Sequence, residues 1–459
     1  MGKRHKKFFL ITTSAFFLFF IFIPEYMPRN EFPVFRVVID PGHGGIKIQP
    51  RLKHGDRYDS VSGTYLDDYR PGAALTVRGN KIKEHNIAYS IGQKTLKILQ
   101  YTAPGADFGK FERIAKKYGL LAKRINIISI TSRPGGLSEN PDTAQETGDV
   151  NGPYRIFDYP DSRGSMAYGR ISKINSFKPH IVVSIHLAES APSDYKAVNT
   201  ILAPSFSHLL NGLYYLRGNK TGRSFFNNSY MKDWFVEDEA RTPFSWFLSD
   251  ISQYFTGYPL DENRKIIQNN FRGYRHNMIH WAYTDEPGWD KDAAVHAGYS
   301  RYSMNYKDVS PAGKFWDRER SVYESYRRDG GMEGFGGDNA YASYEIIRYI
   351  LYSLKKNGRS ADKLTQGKPY VSIWTLPIYL NAINAYFELG YLRRKTDRKI
   401  FLENQNEIAE GIAVGVYSLL AGIDMPKDDF THMPKGKRID LERYDVSSEK
   451  SYFDAVWDN

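Results

Sequence analysis

Runs of consecutive apolar residues alternate along this chain with stretches of helical period. Val34–Asp40, "VFRVVID", is mostly β-branched and apolar at successive positions, as a strand covered on both faces requires. Arg124–Ile130 and Ile181–His186, the latter "IVVSIH", repeat that pattern. Between these runs, Glu84–Leu99 sets Ile87, Ala88, Ile91, Ile98 and Leu99 along one stripe, the mark of an amphipathic helix. Met166–Phe177 reads as a second helix. Glu345–Lys356 reads as a third, with Ile346, Ile347, Ile350 and Leu351 on its face, and Asn406–Leu420 as a fourth. "AINAYFELGYL", Ala382–Leu392, reads as a late strand running into a loop. Residues 46–80 and 135–165 are polar and rich in Gly and Asp, and read as loops; the stretch 188–340 has neither period.

Strands alternating with helices predict an α/β fold with a mostly parallel sheet flanked by helices. A length of 459 residues would fill two or three ordinary domains. The strands, however, are strung out across the whole chain. Residues 34–424 carry these elements, preceded by a distinct segment at 1–33 and followed by a polar tail at 425–459.

The segment at the start changes the picture. Lys3, Arg4, Lys6 and Lys7 precede Phe8–Ile23, a run of uncharged, mostly apolar residues. This is an export signal, and the run ends in Phe-Ile-Phe-Ile-Pro, without the small residues of a cleavage site. An uncleaved anchor in the inner membrane is the favoured reading. It leaves the basic side in the cytoplasm and the rest in the cell envelope, periplasmic or extracytoplasmic. The formal charge of +11 favours anionic partners. Nucleic acid is not expected, because the chain is exported and carries no recognised nucleic-acid motif. With no cysteine, disulfides, thiolate metal sites and cysteine nucleophiles are excluded, and any metal must be held by His, Asp or Glu.

Candidate chemistry gathers at strand ends, where ligands sit in open α/β sheets. His43 follows the first strand between glycines, in "DPGHGG". His186 ends "IVVSIH". Glu388 closes "NAYFE", and Glu84 opens the first helix. Two histidines and a carboxylate match the protein ligands of a catalytic zinc, which keeps one position open for water. A further acid nearby would move protons.

In these motifs the chain resembles the zinc-dependent N-acetylmuramoyl-L-alanine amidases of the Amidase_3 family. "VVIDPGHGG" resembles the family's opening strand and first zinc histidine, His43. "KEHNIAYSIGQKTLKIL" resembles the helix that starts with the zinc glutamate, Glu84. "GRISKINSFKPHIVVSIH" resembles the Arg–Asn helix and the strand ending in the second zinc histidine, His186. "AYFELGYL" resembles the late strand with the catalytic glutamate, Glu388. The resemblance implies a Zn2+ cofactor held by His43, Glu84 and His186, with Glu388 as catalyst. The intervals between these four residues are longer than the family's, which implies one catalytic domain, 34–424, with large insertions near 46–80, 100–122 and 188–340. The resemblance also implies peptidoglycan as the partner, cut between the lactyl group of N-acetylmuramic acid and L-alanine, in cell-wall remodelling or daughter-cell separation. A protein activator is possible and none is identifiable from the residues.

Other candidates carry plainer readings. His85, beside Glu84, offers an alternative to it as a ligand, with Glu84 the favoured reading. Arg170 and Asn175 match the family's helix and read as packing and capping groups. Asp40 reads equally as a turn cap or as a hydrogen-bond support to a ligand. "HNMIH", His276–His280, reads as packing in an aromatic patch. The aromatic stretch 188–340 offers a glycan platform or an insertion core, and Trp234–Phe255 a lid or an ordinary packed element. Two other functions stay open: another exported zinc amide hydrolase or peptidase on this fold, and a membrane-anchored wall-binding protein without activity.

Overall fold

The structure is a computed structural model that describes residues 32–44, 58–59, 64–65, 72–135, 152–190, 199–202, 336–358, 370–371, 376, 380 and 382–423. Its strands are β1 (Val34–Pro41), β2 (Tyr58–Asp59), β3 (Thr64–Tyr65), β4 (Ala74–Val77), β5 (Asn80–Lys83), β6 (Asn126–Thr131), β7 (Tyr159–Pro160), β8 (Met166–Ala167), β9 (Ile181–Ala188), β10 (Asn199–Leu202), β11 (Tyr370–Val371) and β12 (Ile383–Tyr391). Its helices are α1 (Glu84–Leu99), α2 (Phe108–Lys116), α3 (Arg170–Ser176), α4 (Gly336–Lys356), α5 (Lys395–Glu403) and α6 (Gln405–Ala421).

Among the described residues, six strands form the central sheet in the order β11-β10-β12-β9-β1-β6. β6, β1, β9 and β12 are parallel, and β10 joins β12 antiparallel. The sheet is thus mostly parallel and flanked by helices, as the alternation of runs predicts. The chain leaves β1 for β6 on one side and returns to β9 on the other. β1 therefore stands at a switch point, where a crevice opens beyond the carboxyl ends of the strands.

Alternation along the strands divides the core. Val37, Ile39, Ile127, Ile181, Val183, Ile185, Ile383, Ala385 and Phe387 belong to one large cluster with the buried stripes of α1, α4 and α6. Val38 and Val182 face the other way, against Ile174 of α3. α4 and α6 pack on each other over the large cluster, at a separation only glycine permits. A Cβ on Gly411 would lie 2.5 Å from the Cα of Ile350. Residues 100–122 contain α2, which sends Phe108, Phe111 and Ala115 into the same core.

Several elements differ from the sequence reading, each for a local reason. Met166–Phe177 is not one helix. Met166 and Ala167 pair with Tyr159 and Pro160, and α3 starts only at Arg170. The start is set from a distance: Asp158 accepts from the Gly169 N–H at 2.7 Å and from the Ser172 hydroxyl at 2.9 Å. α4 begins at Gly336, ahead of the periodic stretch. Its early residues Asn339 and Ser343 accept from the N–H groups of Asn384 and Tyr386 on β12, below the point where β10 pairs. At the end of 46–80, Ala74–Val77 pairs with Asn80–Lys83 in a hairpin that delivers the chain to α1. Among the described residues, no helix is long and apolar enough to cross a membrane; Phe8–Ile23 lies outside them.

Candidate metal centre

β1 ends at Pro41, and His43 stands two residues beyond it at φ 53°, in the left-handed region. For a residue with a Cβ that conformation costs roughly 1–2 kcal/mol. The glycine before it provides room instead. A Cβ on Gly42 would lie 2.5 Å from the Cε1 and Nδ1 of His186. His186 comes from β9, the neighbour of β1 in parallel register.

Glu84 is the first residue of α1 and is held at both its backbone and its side chain. Its N–H donates to the Ala73 carbonyl at 2.9 Å, and its Oε2 accepts from the Ala73 N–H at 2.6 Å. Its Oε1 accepts from the Leu187 N–H at 3.0 Å. The carboxylate, with 2% of its side chain exposed, lies between the two imidazoles: 3.5 Å from His43 Nε2 and 3.0 Å from His186 Nδ1. Burial by itself would raise its pKa, but His43, His186 and the Leu187 amide bring it down to about 2. One donor atom from each of His43, Glu84 and His186 lies within 4.8 Å of the others, a group that could hold a metal ion. Two imidazole nitrogens and a carboxylate oxygen are a donor set that a divalent metal ion accepts. His43, 22% exposed, forms the open side.

Behind the ligand group, the strand face toward α3 carries a line of polar contacts. Asp40 is fully buried and accepts from the Arg170 guanidinium, from the Ser132 hydroxyl, and from the Ser184 hydroxyl at 3.1 Å. Burial would raise its pKa; Arg170 and Ser132 more than offset this and leave it lowered. Asn384 of β12 continues the line with a bond to Ser184 Oγ at 3.1 Å. Next along the strand, the Tyr386 ring stacks on His186 at 4.5 Å with the planes 19° apart. Glu388 is in register with His186, its Oε2 buried with no hydrogen-bond partner among the described residues. Burial and the charge of Glu84 push its carboxyl well above the usual range.

The structure thus brings together His43, Glu84 and His186, and sets Glu388 on the adjacent strand. His85 is buried outside the group, its pKa lowered to about 4 by burial and by the charges of Arg133 and Lys83. Asp40 is not a turn cap; it is the acceptor for Arg170. Arg170 is likewise no cap for α3, because it also donates to the carbonyls of Pro41 at 3.0 Å and His43 at 3.3 Å. Asn175 lies in the last turn of α3, where its carbonyl accepts from the Lys178 N–H at 2.9 Å. His276, His280 and Trp234–Phe255 lie outside the described residues. Arg133 is the group that sequence reasoning passed over. It is buried after β6, and its donors reach the carbonyls of Pro41, Gly42 and His85. No signal in the sequence marks it, because the carbonyls it serves lie at positions 41, 42 and 85.

No family model and no curated protein matches the chain. Among solved structures it is similar to the N-acetylmuramyl-L-alanine amidase Ami1 of Mycobacterium smegmatis, at 10% identity over 83% of this chain and 94% of that one, with a TM-score of 0.33. The apo form of Ami1 from Mycobacterium abscessus gives 12%, 84%, 98% and 0.31. The N-acetylmuramoyl-L-alanine amidase of Clostridium difficile 630 gives 12%, 84%, 97% and 0.26. Likeness of that degree carries neither fold nor activity; the fold rests on the strand order and the site on its own distances.

Proposed function

We propose that the chain is an exported zinc hydrolase acting on the amide between the lactyl group of N-acetylmuramic acid and the L-alanine of peptidoglycan stem peptides. The observation that carries this reading is the convergence of His43, Glu84 and His186 within 4.8 Å at the carboxyl rim of the sheet, with Glu388 in register beside His186. The four motifs that resemble the amidases meet at that one place.

His43, Glu84 and His186 would hold the ion. When bound, zinc supplies a Lewis acid for the scissile carbonyl and acidifies water. The chain's own residues do the rest. Glu84 is ionised at neutral pH and kept in place by the Ala73 and Leu187 amides, so it binds without reorienting. Tyr386 holds the His186 ring plane from one side. Glu388, whose Oε2 has no partner among the described residues, takes a proton from the attacking water and returns it to the departing nitrogen of L-alanine. The apolar run Phe8–Ile23 after a basic cluster supports anchoring in the inner membrane with the site in the cell envelope, on the side where peptidoglycan lies.

The test uses the full chain purified in detergent, with zinc measured per protein and purified cell wall as substrate. Expected products carry a free lactyl carboxylate and an L-alanine amine. Glu388→Gln should retain the metal and lose turnover by ~10²–10⁴-fold. Cuts within the stem peptide would make the enzyme a peptidase. Bound zinc with no digestion would favour a wall-binding protein, and equal turnover in both proteins would remove Glu388 from the mechanism.

A further inference from the structure

Arg133 reaches two segments that are far apart in the chain. Nε donates to the Pro41 carbonyl at 2.9 Å, Nη1 to Pro134 at 3.0 Å, and Nη2 to both Gly42 at 3.0 Å and His85 at 2.9 Å. Pro41 and Gly42 lead directly into His43. His85 belongs to the first turn of α1, beside Glu84. One planar, fully buried guanidinium therefore ties together the segments that carry two of the three candidate ligands. Tyr89, also on α1, lies against it at 5.4 Å.

The Gly42 carbonyl has a particular place in this network. It belongs to the peptide plane whose rotation defines φ of His43, the angle held at 53°. Arg170 bonds the carbonyl on the other side of the same residue. An isolated loop would relax out of the left-handed region. Here both flanking peptide planes are held by arginines.

We infer that Arg133 is a positioning residue for the metal centre, fixing the backbone of His43 and its spacing from Glu84 before an ion arrives. This inference rests on the metal reading above. A lysine keeps the charge but cannot serve several carbonyls in one plane, so Arg133→Lys separates geometry from charge.

The test compares metal-free full-length wild type, Arg133→Lys, Arg133→Met and Gly411→Ala. Zn2+ affinity is read by competition with a chromophoric chelator, coordination by the visible spectrum of the Co2+ form, and stability by the urea midpoint. Gly411→Ala strains the α4–α6 contact, away from the site, and serves as the destabilised control. Both Arg133 variants should lose ~10–100-fold in Zn2+ affinity and alter the Co2+ bands. Gly411→Ala should lower the urea midpoint while keeping wild-type affinity and spectrum. Wild-type affinity and spectrum in Arg133→Lys would overturn the inference, as would a loss of affinity in Gly411→Ala in proportion to its lost stability. If neither Arg133 variant folds, Tyr89→Leu loosens the guanidinium from α1 and should shift affinity in the same direction by a smaller factor; an unchanged affinity there also overturns it. Wild type that binds neither Zn2+ nor Co2+ fails the metal reading itself, a separable result.

Discussion

The two faces of the central sheet are made by the same strands and differ in kind. Toward α1, α4 and α6, β1, β9 and β12 present Val37, Ile39, Ile181, Val183, Ile185, Ile383, Ala385 and Phe387, all in one apolar cluster. Toward α3 they begin apolar, with Val38 and Val182, and turn polar as they approach the carboxyl rim: Asp40, Ser184, His186, Asn384, Tyr386 and Glu388. One face binds the layers together and needs only volume and shape. The other converts strand period into chemistry, since every second residue near the rim arrives on the same side. Charge at that depth is tolerated because it is paired: Asp40 with Arg170, and Glu84 between two imidazoles and two amides.

The sharpest way to break the comparison is at neighbouring residues of β1. Asp40→Asn leaves Arg170 buried opposite a neutral group, which should cost about 3–5 kcal/mol. It should also weaken Zn2+ binding, because Arg170 holds the His43 carbonyl. Ile39→Ala, one position away on the apolar face, should cost about 2–5 kcal/mol and leave metal affinity unchanged. Urea midpoints at constant slope measure the first quantity, and chelator competition the second. If Ile39→Ala lost as much affinity as Asp40→Asn, the two faces would not be functionally separate.

A smaller effect is expected within the apolar layer alone. Gly411→Ala places a methyl against the Ile350 backbone and should cost about 1–3 kcal/mol by overpacking, read as a lower urea midpoint. A midpoint equal to wild type would mean that α4 and α6 separate without penalty.

How much of this was legible in the sequence follows the same division. β1, β9 and the stripe of α1 were readable because continuous apolar runs and helical period report burial directly. The grouping of His43, Glu84 and His186 was readable because each stands at or near an element's end, where α/β sheets collect ligands, although β9 runs on to Ala188 and β12 to Tyr391, so that His186 and Glu388 lie inside their strands rather than closing them. What escaped were groups whose role depends on a distant partner. Arg133 acts on carbonyls at positions 41, 42 and 85, and nothing in "TSRPG" announces it. Asp158 sets the start of α3 through Gly169, so Met166–Phe177 passed for one helix. Asn339 and Ser343 serve the amides of β12, a demand that belongs to the sheet rather than to their own helix. Backbone donors are silent in sequence for the same reason: the Ala73 and Leu187 amides orient Glu84 with no help from their side chains.

The least drastic substitutions use the two carboxyls of the rim, whose surroundings move them in opposite directions. Burial would raise Glu84, but His43, His186 and the Leu187 amide lower it to about 2, below the ordinary 4.5. Its stabilisation is therefore full above about pH 4.5 and fades as pH falls toward 2. Glu388 is raised well above 4.5 by burial and by Glu84, so it costs stability as pH climbs past the unfolded value and the unfolded chain ionises first. In the metal-free protein, Glu84→Gln should be less stable than wild type at about pH 7, with a deficit that shrinks on acidification. Glu388→Gln should equal wild type at about pH 4 and exceed it at about pH 7. Urea midpoints from about pH 2 to about pH 7 give two difference curves of opposite slope, the Glu84→Gln curve changing below about pH 4.5 and the Glu388→Gln curve above it. Parallel curves would mean that the rim treats both acids alike, and that the separation of a bound, ionised ligand from an unpaired proton carrier is not built into the empty fold.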